Sequence, residues 1–273
     1  MLSFVSNRLR RKKLNCLTKT LAALFPAIAL LPLSGCASRL DYTLNPPVSN
    51  DWVTVTVKLP QETEALPLDV LYRSETCRKE VYDNTSESHM ATVRGVNPQL
   101  VSLSQTDSSG YREAKIALNG GGKCGWKLSG IRLGIQLSKT SALANGKNII
   151  STSYVFDFDD EGYRNAFGYG NPKNVVGNLR FETDFFPLIQ SHRDGEMVIT
   201  LFGGDIRDEK WKRYYRVSSI SKIVIEPSIH MSKVVRVVPP NSLPGDLIAT
   251  YPDGSTGILP YIYPDYEKLL SMK

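Results

Sequence analysis

Between Trp52 and Leu59 every second residue is apolar: Val53, Val55, Val57 and Leu59 alternate with Thr54, Thr56 and Lys58. A side-chain period of two fits a half-buried β-strand and disagrees with an amphipathic helix, whose apolar stripe recurs every three to four residues. Strand-like runs return at Leu66–Tyr72, Leu100–Ser104, Arg112–Leu118 and Leu128–Leu137, with Asp107-Ser108-Ser109-Gly110 and Asn119-Gly120-Gly121-Gly122 as turn signals between them. A second series is expected at Ile149–Phe158, Leu179–Thr183, Met197–Phe202, Tyr214–Val217, Lys222–Ile225 and Lys233–Val238. A turn at Asp253-Gly254 and a short helix over Asp265–Met272 follow. These patterns predict a mainly β chain, an antiparallel sandwich-like fold with a short C-terminal helix. The pattern lapses over Ser141–Asn148, so two β subdomains are expected, at 51–140 and 149–273.

The N-terminus carries a different kind of signal. Arg8, Arg10, Arg11, Lys12 and Lys13 precede the apolar run Leu21–Leu33, which ends on Leu33-Ser34-Gly35-Cys36. Positive charge, then an apolar run too short for a stable membrane span, then small residues is the order of a secretory signal peptide. Its ending resembles a bacterial lipobox, which predicts cleavage after residue 35 and acylation of the Cys36 thiol. An ordinary signal peptide with a chance cysteine is the competing reading. Ala37, where an Asp would hold an enterobacterial-type lipoprotein in the inner membrane, points to the outer membrane and the periplasm. Residues 36–50, with Pro46-Pro47, read as an extended, stiffened tether.

Cleavage changes the charge. The whole chain is formally +6, yet residues 1–35 hold six basic side chains and no acidic one. Removing these six from the 33 basic residues leaves 27, equal to the 27 acidic ones, so the basic balance belongs to the targeting segment and gives no support to nucleic-acid binding. Cys16 leaves with the signal peptide and Cys36 takes lipid, so Cys77 and Cys124 remain as one pair in an oxidising compartment. A disulfide is the expectation; a metal-binding or reactive pair is the alternative, weakened by the lack of CxxC spacing.

Candidate chemistry is sparse. His89, His192 and His230 are the only histidines, and each sits in a segment that reads as exposed or capping. Gly254-Ser255-Thr256-Gly257 lacks the spacing of a nucleophile elbow, and Asn119-Gly120-Gly121-Gly122-Lys123 lacks that of a phosphate loop, reading instead as a flexible turn that lets Cys124 reach Cys77. The run Asp157-Phe158-Asp159-Asp160-Glu161-Gly162 begins like a calcium loop, but its twelfth position is Gly168 and strand-like residues precede it. The better reading is an acidic hairpin tip, in which Asp157, Asp159, Asp160 and Glu161 engage a basic partner.

Three segments together, Leu71–Cys77, Gly120–Ser129 and Tyr251–Ser255, resemble a group of proteobacterial envelope lipoproteins associated with type VI secretion effector clusters. The resemblance implies an immunity protein that binds and blocks a secreted phospholipase-type effector, with no catalytic residues and no cofactor. A structural or assembly lipoprotein of the envelope or secretion machine is the alternative. Cys36→Ser is expected to yield an uncleaved or soluble form absent from the membrane fraction; normal processing with unchanged membrane partition would refute lipid attachment.

Overall fold

The computed structural model describes residues 40–83, 88–105, 109–163, 171–203, 213–242, 244–259 and 263–273; the segment expected to be a signal peptide, with Leu33–Cys36, and the first residues of the expected tether lie outside the described residues. The chain is mainly β, as its alternation requires, and among the described residues the strands fall into three sheets. In the first, Trp52–Lys58 lies between Tyr111–Ala117, antiparallel, and Lys222–Ile225, parallel. In the second, the order runs Lys173–Val176, Tyr214–Ser218, Thr152–Asp157, Trp126–Leu137, Leu68–Asp83 and His89–Val101. The third is built around Asp184–Ser191, flanked by Met197–Phe202 and Val235–Val238.

Two expectations need correction. The sheets are mixed rather than antiparallel, because strands distant in sequence enter beside earlier ones in the parallel sense, as Lys222–Ile225 does beside Trp52–Lys58. Nor does the chain divide at 141–148, since Leu40–Lys273 forms one compact unit. The 141–148 segment connects two neighbouring strands of one sheet, Trp126–Leu137 and Thr152–Asp157. It is anchored inward: Ser141 is buried and its hydroxyl donates to Glu62 at 2.7 Å. Polar and small residues there mark a packed turn, not a linker.

The core follows from parity. Val53, Val55 and Val57 of the first sheet meet Val70, Tyr72, Ile131, Leu133, Tyr154 and Phe156 of the second, all nearly inaccessible, and Ile223 and Ile225 join them. Two sheets bury apolar faces against each other, a sandwich-like arrangement. Asp184–Ser191, which no alternation announces, is buried on both faces. Phe185 and Ile189 belong to the main core, while Phe186 and Leu188 face a second cluster with Val235, Ala249, Tyr266 and Leu269. A strand covered on both sides reads as a continuous apolar run, and its Pro187 further masks it. Tyr266–Leu270 is the expected helix, capped by Asp265, whose carboxylate accepts from the Lys268 N–H at 3.1 Å. Among the described residues no helix is long and apolar enough to cross a membrane.

Because Ile223 sits beside Val55 in this shared core, Ile223→Ala is expected to cost about 2–5 kcal/mol. Urea unfolding followed by near- and far-ultraviolet circular dichroism should move as one transition. Two separated transitions would restore the two-subdomain division.

Candidate functional site

The acidic segment is placed by a slip of phase in the strand Trp126–Leu137. Trp126 and Leu128 point into the core, and so do Ile131, Leu133, Ile135 and Leu137, which have the opposite parity. The register against Leu68–Asp83 accounts for it: Tyr72 opposes Leu128 and Leu71 opposes Gly130, leaving Ser129 as the extra residue of a bulge. Ser129 is buried, and its hydroxyl donates to Asp159 at 2.8 Å while accepting from Arg73 Nε at 3.2 Å. Its carbonyl accepts from the Phe158 N–H at 2.9 Å. The bulge thus receives the chain as it leaves Thr152–Asp157.

Residues 158–163 consequently fold back over the outer face of the second sheet and do not project as a hairpin tip. Tyr163 lies over Gly130, where a Cβ would stand 2.8 Å from its ring, and its hydroxyl donates to the Asp69 carbonyl at 2.8 Å. Asp157 is fully buried, accepting from the Tyr214 hydroxyl at 2.5 Å and from the Tyr163 N–H at 2.9 Å. Asp159 pairs with Arg94 at 3.0 Å and accepts from the N–H groups of Glu161 and Gly162. Glu161 pairs with Arg73 at 3.1 Å. Of the four carboxylates expected to meet a partner, only Asp160 has a solvent-facing side chain, 94% exposed, and it lies 2.9 Å from Arg216. The other three are committed to arginines, hydroxyls and backbone. The sequence could not show this, because Arg73 and Arg94 stand far upstream.

Two carboxyls two residues apart are driven in opposite directions. Burial pushes Asp157 above the usual carboxylate range, outweighing the Tyr214 and Tyr163 hydrogen bonds and the charge of Arg216. Burial acts on Asp159 too, but the Gly162 N–H, the Ser129 hydroxyl and Arg94 overcome it and hold that carboxyl below its ordinary value. The Ser129–Asp159 contact is therefore poorly suited to nucleophile activation: a carboxylate held acidic is a weak general base, and Arg73 only donates. Among the described residues no group of three or more His, Cys, Asp or Glu could hold a metal ion.

A second constellation surrounds the disulfide. Cys77 and Cys124 are bonded, with Cα atoms 5.2 Å apart and a sequence separation of 47. Closing such a loop removes unfolded-state entropy worth about 4 kcal/mol in a chain-entropy model. Cys77 reaches its partner from a bulge, since the pairing jumps from Ser74 opposite Gly95 to Arg78 opposite Arg94. The Ser74 hydroxyl clamps the bridge, donating to the Cys124 carbonyl at 2.5 Å and accepting from the Cys77 N–H at 2.8 Å.

The segment expected to be an extended, stiffened tether is docked beside this bridge. The Asp41 carbonyl accepts from Trp126 Nε1 at 2.9 Å, the Tyr42 carbonyl from Asn97 at 2.9 Å, and the Asn45 N–H donates to the Gly120 carbonyl at 2.8 Å. Tyr42 stacks on Trp126 with planes 9° apart. The glycine run is therefore a seat, not a flexible turn. A Cβ at Gly121 would lie 2.1 Å from the Asn45 carbonyl oxygen, and one at Gly122 would lie 2.4 Å from that of Thr43, with φ of 59° and 71°.

The remaining candidates serve the framework. His230, expected to be exposed or capping, is half-buried: it stacks on Phe186, and its Nε2 lies 2.7 Å from Asp184, which also binds Lys273 at 2.9 Å. His89 and His192 are exposed as expected. The Tyr251–Ser255 segment holds the helix, the Tyr251 hydroxyl accepting from the Asp265 N–H at 3.0 Å and the Ser255 hydroxyl from Lys268 at 2.6 Å. A cleft of about 290 Å³ between Ile150, Leu188, Phe202 and Tyr263 has Arg213 in its wall. That guanidinium already donates to Ser153, Gly203 and Thr152.

The two aspartates should give opposite pH signatures. Asp157, raised in the folded state, favours folding below its unfolded pKa, and that contribution is lost as pH rises through the folded value. Asp157→Asn should therefore gain stability relative to the parent protein as pH climbs from about 4. Asp159, lowered when folded, contributes above its unfolded pKa and loses that contribution as pH falls through the folded value. The deficit of Asp159→Asn should therefore shrink on acidification. Denaturant titrations across pH check both signs, and parallel curves would refute the assignment. In comparisons with known proteins, no family model, no curated protein and no solved structure matches this chain.

Proposed function

We propose that this chain is an immunity-type lipoprotein, held at the periplasmic face of the outer membrane through Cys36, that binds and blocks a secreted phospholipase-type effector. The observation that carries the reading is the way the N-terminal segment is mounted. Leu33-Ser34-Gly35-Cys36 supplies the expected acyl site, and the body takes hold of the chain at Asp41, through Trp126, beside the disulfide. A blocker stationed where a lipase attacks needs a short mooring and a surface that keeps its shape. The docked segment, the cross-link and the shared core favour both. The segments that support the resemblance now have physical roles: two form the disulfide seat and the third braces the C-terminal helix.

The acidic loop is not carried forward as the docking surface, because Asp157, Asp159 and Glu161 are engaged by internal partners and only Asp160 is largely exposed. Blocking by occlusion requires about 800 Å² per partner and a few buried anchors, which need not be titratable. Deleting the protein should sensitise cells to siblings that deliver the effector, and a restored copy should rescue them. The fragment from Ala37 to Lys273 should capture the effector from adjacent secreted proteins in a one-to-one complex. Survival of the deletion strain equal to its parent would overturn the immunity reading and favour the assembly role.

A further inference from the structure

The strands Leu68–Asp83 and His89–Val101 run on past the body of their sheet. Against Trp126–Leu137, the first is paired only as far as Arg73 opposite Lys127. From Arg78 opposite Arg94 to Asp83 opposite His89, the two strands are paired with each other. These six residue pairs make a ribbon about 20 Å long. A lone two-stranded ribbon is marginal in water, and this one carries large apolar side chains outward. Tyr82 and Met90 stand directly opposite each other and are 64% and 59% exposed. Arg78 and Lys79, both exposed, precede them.

The ribbon leaves the sheet at the end where the N-terminal chain is seated. Trp126, which binds the Asp41 carbonyl, is the first residue of its strand, and the next residue, Lys127, opposes Arg73 at the ribbon's foot. Four peptide steps separate Leu40 from Cys36, at most about 14 Å of extended chain. The ribbon is longer than that slack. We propose that the ribbon is the membrane-contacting element of the protein, resting in the headgroup layer with Tyr82 and Met90 as its apolar contacts; this rests on the reading of Cys36 as acylated. The chemistry suits a lipid surface. Tyrosine favours the membrane–water interface, methionine adapts its unbranched chain to irregular apolar surroundings, and Arg78, on the face of Tyr82 by strand alternation, can lay its stem along apolar surface while its charge reaches phosphate; exposed Glu80 shares that face and Lys79 lies on the other. A second contact also fixes orientation, which one flexible anchor does not.

Leu100, 74% exposed near the far end of the same edge strand, supplies an internal control about 33 Å from Met90. The test uses the full mature lipidated protein in vesicles of phosphatidylethanolamine and phosphatidylglycerol, with Tyr82→Trp and Leu100→Trp made separately. Circular dichroism and the intact disulfide verify folding, and the mass of the N-terminal peptide verifies acylation. Lipids brominated high on their acyl chains should quench the emission added by Tyr82→Trp at least twofold and leave that added by Leu100→Trp unchanged. If the acylated, vesicle-bound protein shows no quenching at position 82, the ribbon is free for a protein partner and the inference is wrong. Equal quenching at both positions overturns it as well, since the whole edge would then lie on the bilayer. An N-terminal peptide without acyl mass refutes the reading of Cys36 and removes the inference with it.

Discussion

The strand Trp126–Leu137 is hydrogen-bonded to four others: Leu68–Asp83, Thr152–Asp157, Thr63–Ala65 and Asn119–Gly121. Its apolar side chains can all enter one core only because the backbone slips by one residue at Ser129. Without that bulge, either Trp126 and Leu128 or the series from Ile131 to Leu137 would turn to the outer face, since a one-residue change of register moves every following side chain across the sheet. The slip also turns Ser129 toward Arg73 and Asp159. Just before it, Trp126 fixes the N-terminal segment through its indole N–H, and Cys124 closes the disulfide.

The outer face of that sheet shows how charge is accommodated in a small β protein. Arg73, Arg94, Arg132 and Arg216 are matched by Glu161, Asp159, Asp69 and Asp160 across strands and loop. Partly buried pairs of this kind add little net stability, because removing the charges from water opposes the attraction gained. Breaking one side is costly, since it strands the other. The arrangement thus specifies where the 158–163 loop lies more than it strengthens the fold. Asp157 is the exception: it is enclosed by tyrosine hydroxyl and backbone, and burial disfavours its charge.

Mounting and shape are linked at the disulfide end. The glycine seat, the Tyr42–Trp126 stack and the Ser74 clamp converge there, and the ribbon departs from the same end. A chain seated so close to its proposed acyl site gives the body little freedom to turn away from a bilayer. The C-terminal helix and the second cluster that it helps to form are built by other strands.

By itself the sequence determined the β class, the short C-terminal helix and the expected pairing of Cys77 with Cys124. Each follows from local period, capping chemistry or simple counting, which survive without knowledge of partners. It also held a trace of the site, the parity change between Leu128 and Ile131, which marks the bulge. Tertiary structure alone decided the parallel pairings, the main core shared by both halves of the chain and the doubly buried strand Asp184–Ser191, because these depend on which distant segments meet and on both faces being covered. It also turned an apparent acidic tip into a charge-matched loop laid over the outer face of a sheet and an apparent tether into a docked strap. The reason is the same in both cases: a charged or extended segment looks solvent-bound in sequence, and only the arginines, indole and glycines brought to it from elsewhere in the chain give its polar groups partners.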